Sequence, residues 1–347
     1  MSWQKGEAVV KKEINITEVA KKAGVSIATV SRVFNNQGPV KESTRKKIQQ
    51  IIEETGYSPN ILARELAEQK THLIGIIVHD LTGEGIPRVI NGVNEVLGAK
   101  GYNLLIACTN GSLENELKQF EIFRSKRVEG IMFATRVFQP EHIEIIKKLP
   151  IPVVSLLQNT EQDAIPYVAF DNYNFAFEGT KRLIELGHTT IGFIGGPKHS
   201  INGEERFKGY LDAHKEAGIQ CHSDIIVNGN YHIEDGYHKM ELIYAENNQL
   251  TAVVAANDGM AIGALNYLQD QNVVVPDEVS VLALDDTVLA KASRLKLSGV
   301  HYSYTALGQK GAGIMMKMIE NAQFDYEKCI IPYEICMRES VAEAERK

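Results

Sequence analysis

Asn15-Ile-Thr-Glu-Val-Ala-Lys-Lys-Ala-Gly-Val-Ser-Ile-Ala-Thr-Val-Ser-Arg-Val-Phe-Asn35 holds two short helical patterns separated by one glycine. Asn15 followed three residues later by Glu18 is a capping-box start. Ile16, Val19, Ala20 and Ala23 recur at helical spacing and form one apolar face. Gly24 stands where a chain leaving a helix turns left-handed, and Ser26 can cap a second helix over Ile27–Phe34. Val30 and Val33 point back to the first helix, and the small Ala20 permits a close approach. Two short helices joined this way make a helix-turn-helix, whose second helix can enter the major groove. Its outward face carries Ile27, Ala28, Ser31 and Arg32. Arg32 can donate two hydrogen bonds to guanine, and Ile27 and Ala28 can touch a thymine methyl. Ser31, Asn35 and Thr44 suit phosphate contacts that set register. A plain helical hairpin with a solvated arginine would need Ala20, Gly24, Val25, Ser26 and Val30 to fall into place by chance.

Outward from this motif, a third helix is expected over 42–54, with Ile48, Ile51 and Ile52 as its core face. Lys41 precedes it and offers no capping oxygen. Residues 59–68, Pro-Asn-Ile-Leu-Ala-Arg-Glu-Leu-Ala-Glu, form a further helical pattern with Pro near its start. That pattern is too short to be stable alone in water, as expected of a hinge.

Charge is divided along the chain. The 347 residues carry a net charge of -7, yet residues 11–72 hold eleven Lys/Arg against seven Asp/Glu. A head of +4 on a body of -11 points to a polyanion partner for the head alone. Hydrophobic residues at 44% and charged residues at 23% exclude a long disordered chain. No apolar run approaches the ~18 residues of a membrane span, and the polar N-terminus shows no secretory pattern. The four cysteines lack CxxC spacing and are expected to be reduced and buried in the core of a cytoplasmic protein.

From Thr71 onward, apolar runs alternate with helical patterns. Strands are expected at 73–79, 103–107, 130–134, 152–156, 167–170, 190–194, 225–227, 251–255 and 279–284. Helices are expected between them, for example at 89–100, 113–125, 175–186, 204–217, 235–245 and 260–269. This alternation implies parallel sheets covered by helices. Nine strands are too many for one compact doubly wound sheet, so two subdomains are the economical reading. A ligand would bind at the carboxyl ends of the strands.

The stretch Val19-Ala-Lys-Lys-Ala-Gly-Val-Ser-Ile-Ala-Thr-Val-Ser-Arg-Val33, then Thr44-Arg45, then Gly56-Tyr-Ser-Pro-Asn-Ile-Leu-Ala-Arg-Glu-Leu66 resembles the DNA-binding head of the lactose/galactose-repressor family of bacterial transcription regulators. The resemblance implies an all-α helix-turn-helix head and an α/β periplasmic-binding-protein-like core of two Rossmann-like subdomains. It divides the chain into an extension (1–14), a head (15–58), a hinge (59–70) and a core (71–347). The core halves would be 71–171 with 303–331, and 172–302 with 332–347. It adds Thr17, Ser26, Tyr57, Asn60 and Ala63 to the DNA contacts, and makes Leu66 a wedge at a central CpG step of a near-palindromic operator. It implies a ligand site of Asp80, Ile86, Asn174, Arg206, Tyr231, Asn257, Asp285 and Tyr304, with Tyr302 nearby. Arg206, Asp285 and an aromatic face suit a polyol. After Asp80 the chain reads Leu-Thr-Gly-Glu-Gly-Ile-Pro-Arg where many members carry an Asn-Pro-Phe-Phe-like segment. That favours a sugar over a flat purine.

The expected protein is a dimeric, ligand-responsive repressor of sugar uptake or catabolism genes, since residues 338–347 carry no leucine heptad for a tetramer. A catabolite-control regulator with a phosphorylated carrier protein as corepressor, or a purine-responsive member, is the alternative. An enzyme is disfavoured. Gly308-Gln-Lys-Gly-Ala-Gly313 fits GxxGxG and not the dinucleotide GxGxxG, no nucleophile–base pair stands out, and His232, Asp235 and His238 lack convincing metal spacing. No metal and no cofactor is expected. A secreted sugar-binding protein would not need the basic head.

Overall fold

The computed structural model describes residues 14–34, 38–57, 70–160, 165–247, 249–321 and 327–344. The chain divides into two compact units, 1–71 and 72–347. The expected hinge, with Asn60, Ala63 and Leu66, lies outside the described residues, as do Asn35 and the N-terminal extension.

In the first unit, helices α1 (Ile16–Ala23), α2 (Ile27–Phe34) and α3 (Glu42–Thr55) surround a small core. Both arms of the capping box form: Asn15 accepts from the Glu18 amide, and Glu18 reaches back to the Asn15 amide. Gly24 takes φ 71°, and its amide caps the α1 carbonyls. Val19, Val30 and Ile48, one from each helix, are fully buried against one another. Lys41 makes no side-chain cap on α3.

The second unit holds two six-stranded sheets. The strands are β1 (Leu73–Val78), β2 (Asn103–Cys108), β3 (Gly130–Ala134), β4 (Val153–Leu157), β5 (Tyr167–Phe170), β6 (Ile191–Gly195), β7 (Ile226–Asn228), β8 (Ala252–Ala255), β9 (Ser280–Ala283), β10 (Ser298–Tyr302), β11 (Lys328–Ile331) and β12 (Tyr333–Cys336). The first sheet runs β11-β5-β4-β3-β1-β2 and the second β12-β10-β9-β8-β6-β7. All neighbouring pairs are parallel except β10 with β12. Central strands such as Leu-Ile-Gly-Ile-Ile-Val in β1 are apolar on both faces because helices cover both. The chain changes sheet after β5, after β10 and between β11 and β12, so each half is assembled from separate stretches.

Strands β10, β11 and β12 were not marked by the apolar pattern. The last two are four residues each, lie at sheet edges, alternate with exposed residues and are separated only by Pro332. Helices Pro140–Lys148 and Val288–Ala292 were also unmarked, the second having a single buried residue, Ala290. The cysteines depart from the core expectation as well. Cys108 ends an edge strand and is exposed, and the other three are half-buried.

Helix α4 (Gly85–Ala99) packs against the helix of residues Tyr304–Glu320, which carries the Gly308–Gly313 run. A Cβ on Gly308 would overlap the Val89 carbonyl, and one on Gly92 the Thr305 carbonyl. Gly92 and Gly308 let two backbones touch, so Gly308 has a packing role. Gly308→Ala is expected to lower stability by about 1–3 kcal/mol through overpacking. Gly313→Ala, with nothing within 4 Å of the new methyl, should be neutral or stabilising by about 0.5–1 kcal/mol. Thermal melting of the two variants checks the contrast; equal melting points would contradict it.

Candidate functional site

On the head, α2 turns Ile27, Ala28 and Arg32 to solvent, with Ile27 47% exposed. Thr17 and Ser26 are exposed, and Ser31, Thr44 and Tyr57 are half-buried. Ser26 does cap α2, with its hydroxyl accepting from the Thr29 amide at 3.3 Å. An isoleucine left in water at the start of a helix that also exposes an arginine offers an apolar and a donor group to a surface of methyls and acceptors.

In the second unit, a cavity of about 330 Å³ opens between the carboxyl ends of the two sheets. That is within the range of small-molecule sites. Asp80, Ile86, Arg206, Tyr231, Asn257, Asp285 and Tyr304 all line it. Asn174 does not. It is exposed in the first turn of helix Asn172–Glu185 and bonds Asp171, the N-cap of that helix, at 2.8 Å. Asn174 thus stands outside the cavity lining; Asn172, two residues earlier, does not line the cavity either, but is buried and accepts from Arg206 Nε at 2.9 Å.

Arg206 lies on helix Ile201–Ala217 and is 5% exposed. Its guanidinium donates to Asn172 Oδ1, to the Ala256 carbonyl and, at 3.3 Å, to the Tyr302 hydroxyl. All three partners are neutral, and two of its five donors remain for a ligand. Burial works against its charge, but Tyr302, Tyr231, Tyr304 and Asp285 together outweigh burial and raise its pKa.

Asp285 follows β9 and is likewise buried. Burial and the Asp258 carboxylate push its pKa up to about 7, against Arg206 and the Tyr304 hydrogen bond. Tyr304 donates to its Oδ2 at 2.9 Å, and the Asp286 amide to its Oδ1 at 2.9 Å. Asp258 is itself buried and held by the Thr287 amide at 2.9 Å. Asp286 turns the other way, with Arg338 donating to both its oxygens at 2.8 and 2.9 Å and Lys291 at 3.2 Å. Burial pushes the Asp286 carboxyl up, but the hydrogen bonds of Arg338 and Lys291 outweigh this and hold it below the usual range.

Tyr231 adopts φ 70°, a left-handed backbone that a bulky residue rarely takes. Asn257 Nδ2 donates to its carbonyl at 2.9 Å, while Asn257 Oδ1 caps the next helix at Met260. Asn257 thus holds the aromatic in place besides lining the cavity. A Cβ on Gly196 would overlap the Tyr231 hydroxyl, so the Gly195-Gly196 turn makes room for the ring.

The sequence reading missed Arg136, His79, Gln158 and His232, which also line the cavity. Arg136 and Gln158 sit just past β3 and β4, whose carboxyl ends were the available signal.

The Asp285 shift has a stability consequence. A carboxyl with a folded pKa above its unfolded value binds its proton more tightly when folded. Its contribution is full below the ordinary carboxylate range and is lost as pH rises through about 7. Asp285→Asn should therefore gain about 2–3 kcal/mol relative to the parent between pH 5 and pH 8. Urea denaturation at both pH values tests this, and a difference independent of pH would refute the buried-acid assignment.

A model of bacterial regulatory proteins, lacI family, matches residues 15–60. A periplasmic binding protein-like domain matches residues 180–341. The regulator RegA of Clostridium saccharobutylicum is 32% identical over 327 residues, covering 94% of this chain and 98% of that protein. Catabolite control protein A of Priestia megaterium is 32% identical over 328 residues, covering 94% and 99%. Among solved structures, the lac repressor dimer bound to operator and the anti-inducer ONPF superposes with a TM-score of 0.88 at 22% identity, covering 95% of this chain and 100% of that one. A complex of the transcriptional regulator CelR with cellobiose gives 0.73 at 25% identity, covering 94% and 100%. With helix-turn-helix head, two-sheet core and full-length relatives in agreement, the chain belongs to the lacI family of bacterial regulatory proteins and is a DNA-binding transcriptional regulator.

Proposed function

We propose that the protein represses genes of sugar uptake or catabolism, and that a sugar in the cavity between the two sheets controls its affinity for operator DNA. The observation that carries this is the pairing of Arg206, with two unspent donors, and Asp285, an acceptor, in one cavity of sugar size. The cellobiose complex of CelR supports the same ligand class. A purine is less well served. The ring of Tyr231 already carries Arg136 at 5.7 Å from its centroid, so a flat base would compete for the stacking face. The 32% identity to catabolite control protein A keeps a phosphorylated carrier protein as the second reading.

The working unit is a homodimer in the cytoplasm, and each head reads one half of a near-palindromic operator with a central CpG. The described helices include none long and apolar enough to cross a membrane. Arg32, Ile27 and Ala28 read base edges, while Thr17, Ser26, Ser31, Asn35, Thr44 and Tyr57 set register on the backbone. Asn60, Ala63 and Leu66 act at the centre of the site. The sugar matters only through its unequal affinity for the DNA-competent and DNA-incompetent states.

A thermal-shift panel of sugars, sugar phosphates and purines tests the ligand. A bound effector at ~100 times its Kd stabilises the fold by about 2.7 kcal/mol. A sugar hit whose binding also changes operator affinity supports the reading; a purine as the sole hit overturns it. Arg32→Ala should cost about 1–3 kcal/mol of operator affinity and relax specificity at one base pair. Arg206→Ala should still bind operator and no longer respond to the sugar. Quantitative gel shifts on operator and single-base variants measure both.

A further inference from the structure

Taking the cavity as a sugar site, we propose that Arg136 seats an anionic group of the effector, a phosphate or a carboxylate, so that the natural ligand is a charged sugar derivative and not a neutral sugar.

Arg136 follows the carboxyl end of β3 in the first sheet and lines the same cavity as Arg206, which belongs to the second half. Its guanidinium is 5.7 Å from the Tyr231 ring centroid, and Tyr231 also acts on the charge of Arg206. The aromatic thus lies within reach of both cations. Arg136 is anchored as well as placed: its carbonyl accepts from the Ile201 amide at 3.3 Å, at the start of the Arg206 helix.

The carboxylate beside Arg136 is already committed. Asp80 Oδ1 accepts from the Thr82 amide at 2.8 Å and the Thr82 hydroxyl at 2.6 Å. Asp80 Oδ2 lies 3.3 Å from both Arg136 and His79 Nε2. One shared oxygen therefore faces a guanidinium with five donors. This makes Asp80 the group that aims Arg136 more than a receiver of ligand hydroxyls. The side chain of Arg136 is 29% exposed, so a ligand can reach it.

Two polar groups line the cavity. Arg136 is held by Asp80 and Tyr231, whereas Asp285 is held by Tyr304 and interacts with Asp258 and Arg206. A molecule with hydroxyls at one end and a fork-shaped anion at the other satisfies both. A planar guanidinium prefers phosphate or carboxylate over a hydroxyl because two parallel N–H groups meet two oxygens.

The test uses the full-length protein and matched probes: glucose, galactose, mannose and fructose, their 6-phosphates, and gluconate and galactonate. Calorimetry should show an anionic member binding at least tenfold more tightly than its neutral parent, with an affinity that falls as salt rises. A 6-phosphate hit or an aldonate hit tells which anion is used. In Arg136→Gln that tenfold preference should collapse toward one, and in Arg136→Lys it should be partly kept. Melting curves confirm that both variants fold. Neutral sugars bound as tightly as their anionic partners, with loss of binding in Arg206→Ala, would overturn the role of Arg136 and leave the sugar reading standing. No binding by any probe, neutral or charged, would overturn the sugar reading and this proposal with it.

Discussion

A guanidinium buried to 5% exposure must be held by hydrogen bonds, or its burial costs more than the fold can supply. Arg206 meets this constraint with partners from three places far apart in sequence. Asn172 follows the first passage of the chain between sheets, Ala256 follows β8, and Tyr302 ends β10 just before the second passage. Two of the three anchors therefore sit at the joints between the core halves. A ligand that draws on the spare donors of Arg206 is linked through one side chain to the places where the halves can move. This is a geometric basis for coupling, and its size depends on how differently the ligand binds the two arrangements.

The acidic side of the cavity is organised by opposed neighbours in sequence. Asp285 and Asp286 are adjacent, yet one faces the cavity with a raised pKa and the other is clamped by Arg338 and Lys291 with a lowered one. The clamp joins the loop after β9 to the segment after β12, so the last stretch of the second sheet fixes the turn that presents Asp285. Tyr304 completes the arrangement from the start of the helix that returns to the first sheet. Polar groups from both halves thus meet in one place, and the environment assigns each carboxylate a separate task.

Backbone geometry is shaped to the same end. Tyr231 occupies a left-handed conformation, and Gly196 is bare where its hydroxyl lies. A strained backbone persists only where its surroundings over-determine it. Here the Asn257 amide does so from the end of β8, two strands away in the same sheet.

The sequence by itself determined the local chemistry. The capping box at Asn15 and Glu18, the left-handed Gly24 and the apolar spacing within each helix act over a few residues, so the three helices of the head could be read closely. Strand and helix alternation likewise revealed two parallel sheets, because strands covered on both faces are continuous apolar runs. Residues that follow such strands, among them Asp80, Tyr231, Asn257 and Asp285, were legible as cavity residues for the same reason. Only the tertiary structure decided what depends on distant pairing. It placed the short edge strands β11 and β12, which need their neighbours to be strands at all. It set Asn174 outside the cavity and made Asn172 an anchor of Arg206, because only the buried side chain meets the guanidinium. It brought Arg136 to Tyr231 and joined Asp286 to Arg338, contacts between residues about 95 and about 50 positions apart in the chain. Local free energies are written in neighbouring residues, whereas a cavity is a property of the surfaces that a finished core leaves facing one another.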